Sequence, residues 1–260
     1  MSRKWICILG ASSGFGAATA RVFAEKGYGI FGVHLDRRSG MPAVEALVAE
    51  LRAHDVPVVF HNGNAASADE MQSAIASVQE EMSDGDTVQV LMHSLAFGTL
   101  REFFPESGRA LNKKQMDMTL DVMAHSLVYW TQALVEAGLL VEGGRVFAMT
   151  SSGSLAAWKA YGAVSAAKCA LESHIRQIAV ELAPKGISAN AIMAGVTRTA
   201  ALEKIPGADL IEERALARNP SGRLTRPEDV ATCIYDLSGP GTAWLTGNIL
   251  RVDGGESVAG

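Results

Sequence analysis

Trp5-Ile-Cys-Ile-Leu9 runs directly into Gly10-Ala-Ser-Ser-Gly14-Phe-Gly16, and this join decides the fold. The apolar run is too short for a helix and reads as a buried strand. The glycines then turn the chain tightly, and an alanine-rich segment with Val22 and Phe23 reads as a helix that stops at Gly27. A helix opened by such a turn offers free backbone N–H groups and the positive end of its dipole, so an anion fits there.

The same alternation continues outward from this join. Residues 30–35 read as a second strand, and Val44, Leu47, Val48 and Leu51 follow at helical spacing. Residues 56–60 form a third strand, and Ser67-Ala-Asp-Glu70 is a capping box opening a helix with Met71, Ile75, Val78 and Met82 on one face. Strands at 88–92, 145–149, 187–192 and 249–252 alternate with helices at about 114–137 and 161–183. Thr225-Arg-Pro-Glu228 opens a further helix, with proline in its first turn. Regular alternation with apolar strands predicts an α/β fold: a Rossmann-type doubly wound parallel sheet of about seven strands, with helices on both faces. No linker or repeat divides residues 1–260, so one domain is expected.

Composition narrows the function. The chain of 260 residues is 48% hydrophobic and 20% charged, as expected of a folded protein. Its net charge of −5 and lack of a basic run argue against nucleic acid as a partner. No stretch is long and apolar enough for a membrane span, and MSRKWICILG reads as a strand rather than a signal peptide. Cys7, Cys169 and Cys233 are odd in number and set among apolar neighbours, which predicts buried free thiols in a reducing cytoplasm. His93 and His125 have no metal-ligand spacing, so no metal is expected and both are read as structural.

Tyr161 and Lys168 stand seven residues apart in YGAVSAAK. On one helix that interval is almost two turns, so both side chains leave the same face, about 10 Å apart along the axis. A phenol and an ammonium aimed into one cleft activate an oxygen for proton donation.

Together with the GxxxGxG turn, these residues make the chain resemble the short-chain dehydrogenases/reductases over nearly its full length. Three departures are informative. Most members have Tyr-x-x-x-Lys, but Val164 stands four residues before Lys168. His93-Ser94-Leu95-Ala96-Phe97 replaces the usual Asn-Asn-Ala-Gly, and Met123 replaces an asparagine of the long helix. All three are similar to one branch, the enoyl-acyl-carrier-protein reductases, which is marked by Tyr-x6-Lys, a His-Ser-x-x-Phe-like segment and Ala-Gly-x-x-Arg-Thr. Ala194-Gly195-Val-Thr-Arg198-Thr199 matches the last. Many of those reductases have a second tyrosine ten residues before the first; here Ser151 holds that place.

The resemblance implies roles. Gly10, Ser12, Ser13, Gly14, Phe15 and Gly16 would hold the pyrophosphate, and Asn64 and Ala65 the adenine. Ser94, Leu95 and Ala96 would line the ribose side; Ala194, Gly195, Val196, Thr197 and Thr199 would meet the nicotinamide carboxamide. Lys168 would bond the nicotinamide ribose, Tyr161 the developing enolate oxygen, and Ser151 the substrate, unless it only caps strand five. Where NAD-preferring members have an acid, this chain has His34, with Asp36, Arg37 and Arg38 beyond it. Arginines there suit a 2′-phosphate, so NADPH is the expected cofactor and NADH the alternative; as solvated surface charge they would say nothing. The substrate implied is an enoyl thioester of acyl-carrier protein or coenzyme A. Residues 199–219, with Leu202, Ile205, Leu210, Ile211 and Leu216, are either ordinary packing or a lid over an acyl chain. The family also implies a homodimer or homotetramer. A carbonyl, hydroxysteroid-type or 3-ketoacyl reductase is the competing activity, and a non-catalytic dinucleotide sensor the third reading.

Overall fold

The computed structural model describes residues 2–259. Among these, β1 (Lys4–Leu9), β2 (Gly29–His34), β3 (Val58–Asn62), β4 (Thr87–His93), β5 (Arg145–Thr150), β6 (Ser188–Ala194) and β7 (Ile249–Val252) form one parallel sheet. Its strand order is β3-β2-β1-β4-β5-β6-β7. The helices are α1 (Gly14–Glu25), α2 (Met41–Arg52), α3 (Ala68–Glu81), α4 (Lys113–Leu120), α5 (Ser126–Glu136), α6 (Gly162–Leu182), α7 (Ala208–Arg218) and α8 (Pro227–Leu237).

Strand side chains alternate between two cores, as the pleat requires. Ile6, Ile8, Ile30, Met92 and Phe147 pack against Phe23 of α1, Leu51 of α2 and Ile234 of α8. Cys7, Leu9, Phe31, Leu91 and Val146 pack on the other face against Val78 of α3, Trp130 of α5 and Leu171 of α6. Because both faces are covered, the strands are apolar throughout rather than alternating. Trp5 fits because its neighbour across the β1–β2 ladder is Gly29, where a Cβ would lie 2.3 Å from the indole. The two deepest indoles are also satisfied, Trp5 Nε1 donating to Asp86 at 3.0 Å and Trp130 Nε1 to the Ala65 carbonyl at 2.7 Å.

Four expectations are adjusted. Strand three begins at Val58, because Pro57 has no N–H and offers the ladder only its carbonyl, which accepts from Ile30. The long helix is broken after Leu120 by a π-helical turn, Asp121–His125, before α5 resumes. No glycine or proline marks that turn, so the sequence carries no signal for it. Tyr161 is the residue that caps α6 and is not inside it. Finally, Cys7 is buried but Cys169 is exposed on α6, and all three cysteines are free.

Candidate active site

The sheet order reverses at β1, which pairs with β2 on one side and β4 on the other. The connections after β1 and β4 therefore part at their carboxyl ends and leave a crevice. Two backbone bonds fix its floor: Gly10 N–H to Val33 O at 2.8 Å, and Ser94 N–H to Leu9 O at 2.8 Å. Glycine is required here by contact as well as by turn. A Cβ on Gly10, whose φ is +91°, would lie 2.7 Å from Ser94 O, and one on Gly16 only 2.0 Å from Gly10 O.

The crevice opens into a cleft of about 500 Å³. Gly10, Ser12, Ser13, Gly14 and Phe15 line one end, while Gly16 is buried beneath the turn. No side chain caps the amino end of α1. Its first N–H groups are therefore free to take an anion, and the turn fits the pyrophosphate of a dinucleotide. Asn64 and Ala65 line the cleft, Asn64 Oδ1 accepting from Ala66 N–H at 3.0 Å. Ser94, Leu95 and Ala96 line it from the β4 side, and Ser151, Tyr161, Lys168 and Thr199 from the far end.

Other expected residues lie elsewhere. Arg37 and Arg38 are exposed and outside the lining, whereas His34, Leu35 and Asp36 are in it. Asp36 is held there: its carboxylate meets His34 Nδ1 at 2.9 Å, and its backbone N–H donates to Asn62 Oδ1 at 3.0 Å. Ala194, Gly195, Val196 and Thr197 are also outside the lining. The Val196 N–H is already engaged, donating to Glu256 Oε2 at 3.0 Å, and Thr197 Oγ1 donates back to Gly195 O. Arg198 forms an ion pair with Glu212 on α7. Ala200, Ala201, Leu202, Lys204 and Ile205 line the cleft just beyond Thr199.

The reactive end is nearly dry. Lys168 is 6% exposed, and its Nζ donates to Met149 O at 2.8 Å. Burial brings its pKa down to about 8, with the Glu172 carboxylate opposing that fall. Tyr161 is buried as well, and burial raises its phenol against the pull of a hydrogen bond with Ser151, so the phenol is protonated at neutral pH. Its ring stands edge-on to Trp158, 5.7 Å between centroids, and fills the space left by the missing Cβ of Gly153. Ala160, immediately before Tyr161, adopts a left-handed φ of +64°, a strained conformation for a residue with a Cβ. Val164, four residues before Lys168, lies in the cleft wall.

His93 sits below this floor. Its Nε2 lies 2.9 Å from Ser126 Oγ, which itself donates to Val122 O. The imidazole must therefore be the donor, with Nε2 protonated. Burial, then the Lys168 charge, takes its pKa down to about 3, so it is neutral and does not line the cleft. His125 lies instead in an open outer groove of about 760 Å³, with Lys113, Lys114, Asp117 and Asp121. Among the described residues no group of ligand-type side chains could hold a metal, and no helix is long and apolar enough to cross a membrane. Sequence reasoning missed Thr150 and Glu172. Thr150 lines the cleft, and its hydroxyl donates to buried Glu172 at 2.6 Å.

Comparison with known proteins agrees with this fold. The profile of a family described as Enoyl-(Acyl carrier protein) reductase matches residues 10–257. A 1-cyclohexenylcarbonyl-CoA reductase of Streptomyces collinus is 30% identical over 213 residues, covering 74% of this chain and 75% of its own. A 3-oxoacyl-[acyl-carrier-protein] reductase of Synechocystis is 28% identical over 251 residues, covering 95% and 94%. The crystal structure of an NADH-dependent enoyl-[acyl-carrier-protein] reductase from Aquifex aeolicus superposes with a TM-score of 0.83 at 22% identity, covering 99% of this chain and 97% of that one. At that identity the superposition speaks for the fold.

Proposed function

Since the chain belongs to the short-chain dehydrogenase/reductase family and is an NAD(P)-dependent oxidoreductase, we propose that it reduces the carbon–carbon double bond of a trans-2-enoyl thioester, carried on acyl-carrier protein or coenzyme A, in fatty-acid synthesis. The observation that carries this reading is the displaced donor: Val164 occupies the family's usual tyrosine position, and Tyr161 reaches the cleft from the turn before α6. A ketone reductase must protonate the oxygen on the carbon that receives hydride. In an enoyl thioester the hydride goes to the β-carbon, and negative charge develops on the thioester oxygen two carbons away. A phenol set further from Lys168 suits that oxygen.

A nicotinamide held in this cleft would supply the hydride. Lys168 would hold its ribose, and the lysine charge would stabilise negative charge developing towards Tyr161. Tyr161, protonated at neutral pH, donates a hydrogen bond to the oxygen as charge builds there, Ser151 orients the phenol, and a proton from the phenol, or relayed through it from solvent, completes the reduction at the α-carbon. Thr199, which lines the same end of the cleft, would meet the carboxamide. The segment from Ala200 to Ile205 covers the acyl chain and excludes water.

For the adenosine end, the position of Asp36 supports NADH over the NADPH that Arg37 and Arg38 led us to expect. A fixed carboxylate in the wall accepts from a 2′-hydroxyl and repels a 2′-phosphate. The competing activity is 3-ketoacyl reduction, favoured by the relative that matches over 95% of this chain. Side-by-side turnover of crotonyl- and acetoacetyl-thioesters separates them. The enoyl substrate is expected to be reduced with the higher kcat/KM, and preference for the keto substrate would overturn the reading.

A further inference from the structure

Buried carboxylates need a reason, and Glu172 is only 7% exposed. It follows Lys168 by four residues on α6, so both side chains leave the same face of the helix. Their anchors are adjacent residues of β5: Lys168 Nζ donates to Met149 O at 2.8 Å, and Thr150 Oγ1 donates to Glu172 Oε1 at 2.6 Å. The carboxylate is thus fixed one turn behind the ammonium, buried like it and tied to the same strand.

We propose that Glu172 is a positioning residue that keeps Lys168 charged at the buried end of the cleft, with Thr150 fixing the carboxylate against the strand that also anchors the lysine. The need is physical. An ammonium in this much protein loses its hydration, and a single carbonyl is a weak replacement. The other titratable groups near Lys168 offer no compensation. His93 beneath it on β4 is neutral, and Tyr161 at the head of α6 is a protonated phenol. Asp117, Asp121 and His125, on the elements packed against α6, line the outer groove, where His125 Nδ1 meets His174 Nε2 of α6 at 3.0 Å. Glu172 supplies the opposing charge, which holds the lysine pKa at about 8 against burial.

The test is a side-chain NMR titration of the Lys168 ammonium in the unliganded protein, assigned with Lys168→Met. In Glu172→Gln the midpoint is expected to fall by roughly one unit, leaving about fivefold less charged lysine at pH 8. Glu172→Asp should restore most of the loss. A fall with restoration supports the proposal, and an unchanged midpoint in the folded glutamine variant overturns it. If that variant does not fold, Glu172→Met, which keeps the volume and removes the charge, reads the same quantity with the same criterion. NADH affinity measured by fluorescence at pH 8 should weaken in parallel, a step that rests on Lys168 holding the ribose. A fallen midpoint with unchanged affinity would support the role of Glu172 while removing that assignment from Lys168.

Discussion

Replacing Tyr161 with phenylalanine removes one oxygen and almost nothing else. The ring keeps its edge contact with Trp158 and its place over Gly153, where a Cβ would lie 2.3 Å from the tyrosine Cε1. The loss to folding is one hydrogen bond with Ser151, offset by no longer burying a hydroxyl, so stability should change by less than about 1 kcal/mol. The loss to catalysis is larger. Removing one preorganised donor from a dry site costs on the order of 10²–10³ in kcat, or about 3–4 kcal/mol. Because Lys168 and the glycine turn are untouched, NADH affinity should stay within about twofold. Nicotinamide oxidation with crotonyl-thioester gives kcat, a binding titration gives the affinity, and a thermal melt controls for folding. Tyr161→Phe enzyme that turns over at the wild-type rate would exclude the phenol as the donor, since no other protonated group in the cleft is assigned to that oxygen.

Two further perturbations probe other parts of the site. Asp36→Ala removes the fixed carboxylate beside Arg37, so the ratio of NADPH to NADH catalytic efficiency should rise by about tenfold, the equivalent of one lost repulsion of about 1.4 kcal/mol; an unmoved ratio in steady-state assays would remove Asp36 from cofactor selection. His93 titrates at about 3 in the folded chain and near 6.5 unfolded, so the unfolded state binds more protons between those values. Its contribution is complete above pH 6.5 and is lost as pH falls towards 3, by about 3 kcal/mol at pH 4. Denaturant unfolding at pH 7 and 4 should therefore show a shallower acid loss in His93→Gln than in the wild type, and equal losses would count against a neutral buried imidazole.

The alternation of strands and helices and the anion-binding turn after β1 were legible in the order of residues alone. Each signal for them is local: apolar runs such as Trp5–Leu9, the glycines that only a tight turn requires, and caps such as Ser67 ahead of α3, whose hydroxyl accepts from Glu70 N–H. The Tyr161–Lys168 interval was legible for the same reason, being a spacing within twenty residues of one strand and one helix. The tertiary structure alone decided what those groups experience. That Asp36 rather than Arg37 faces the cleft depends on His34 and on Asn62 from the neighbouring strand. The proton state of Lys168 depends on being dry, and on a carboxylate that is plain helical sequence until β5 packs beside it. Periodicity fixes which face a residue takes. Charge state depends on desolvation and on partners from distant segments, and those exist only once the sheet and helices have closed on one another.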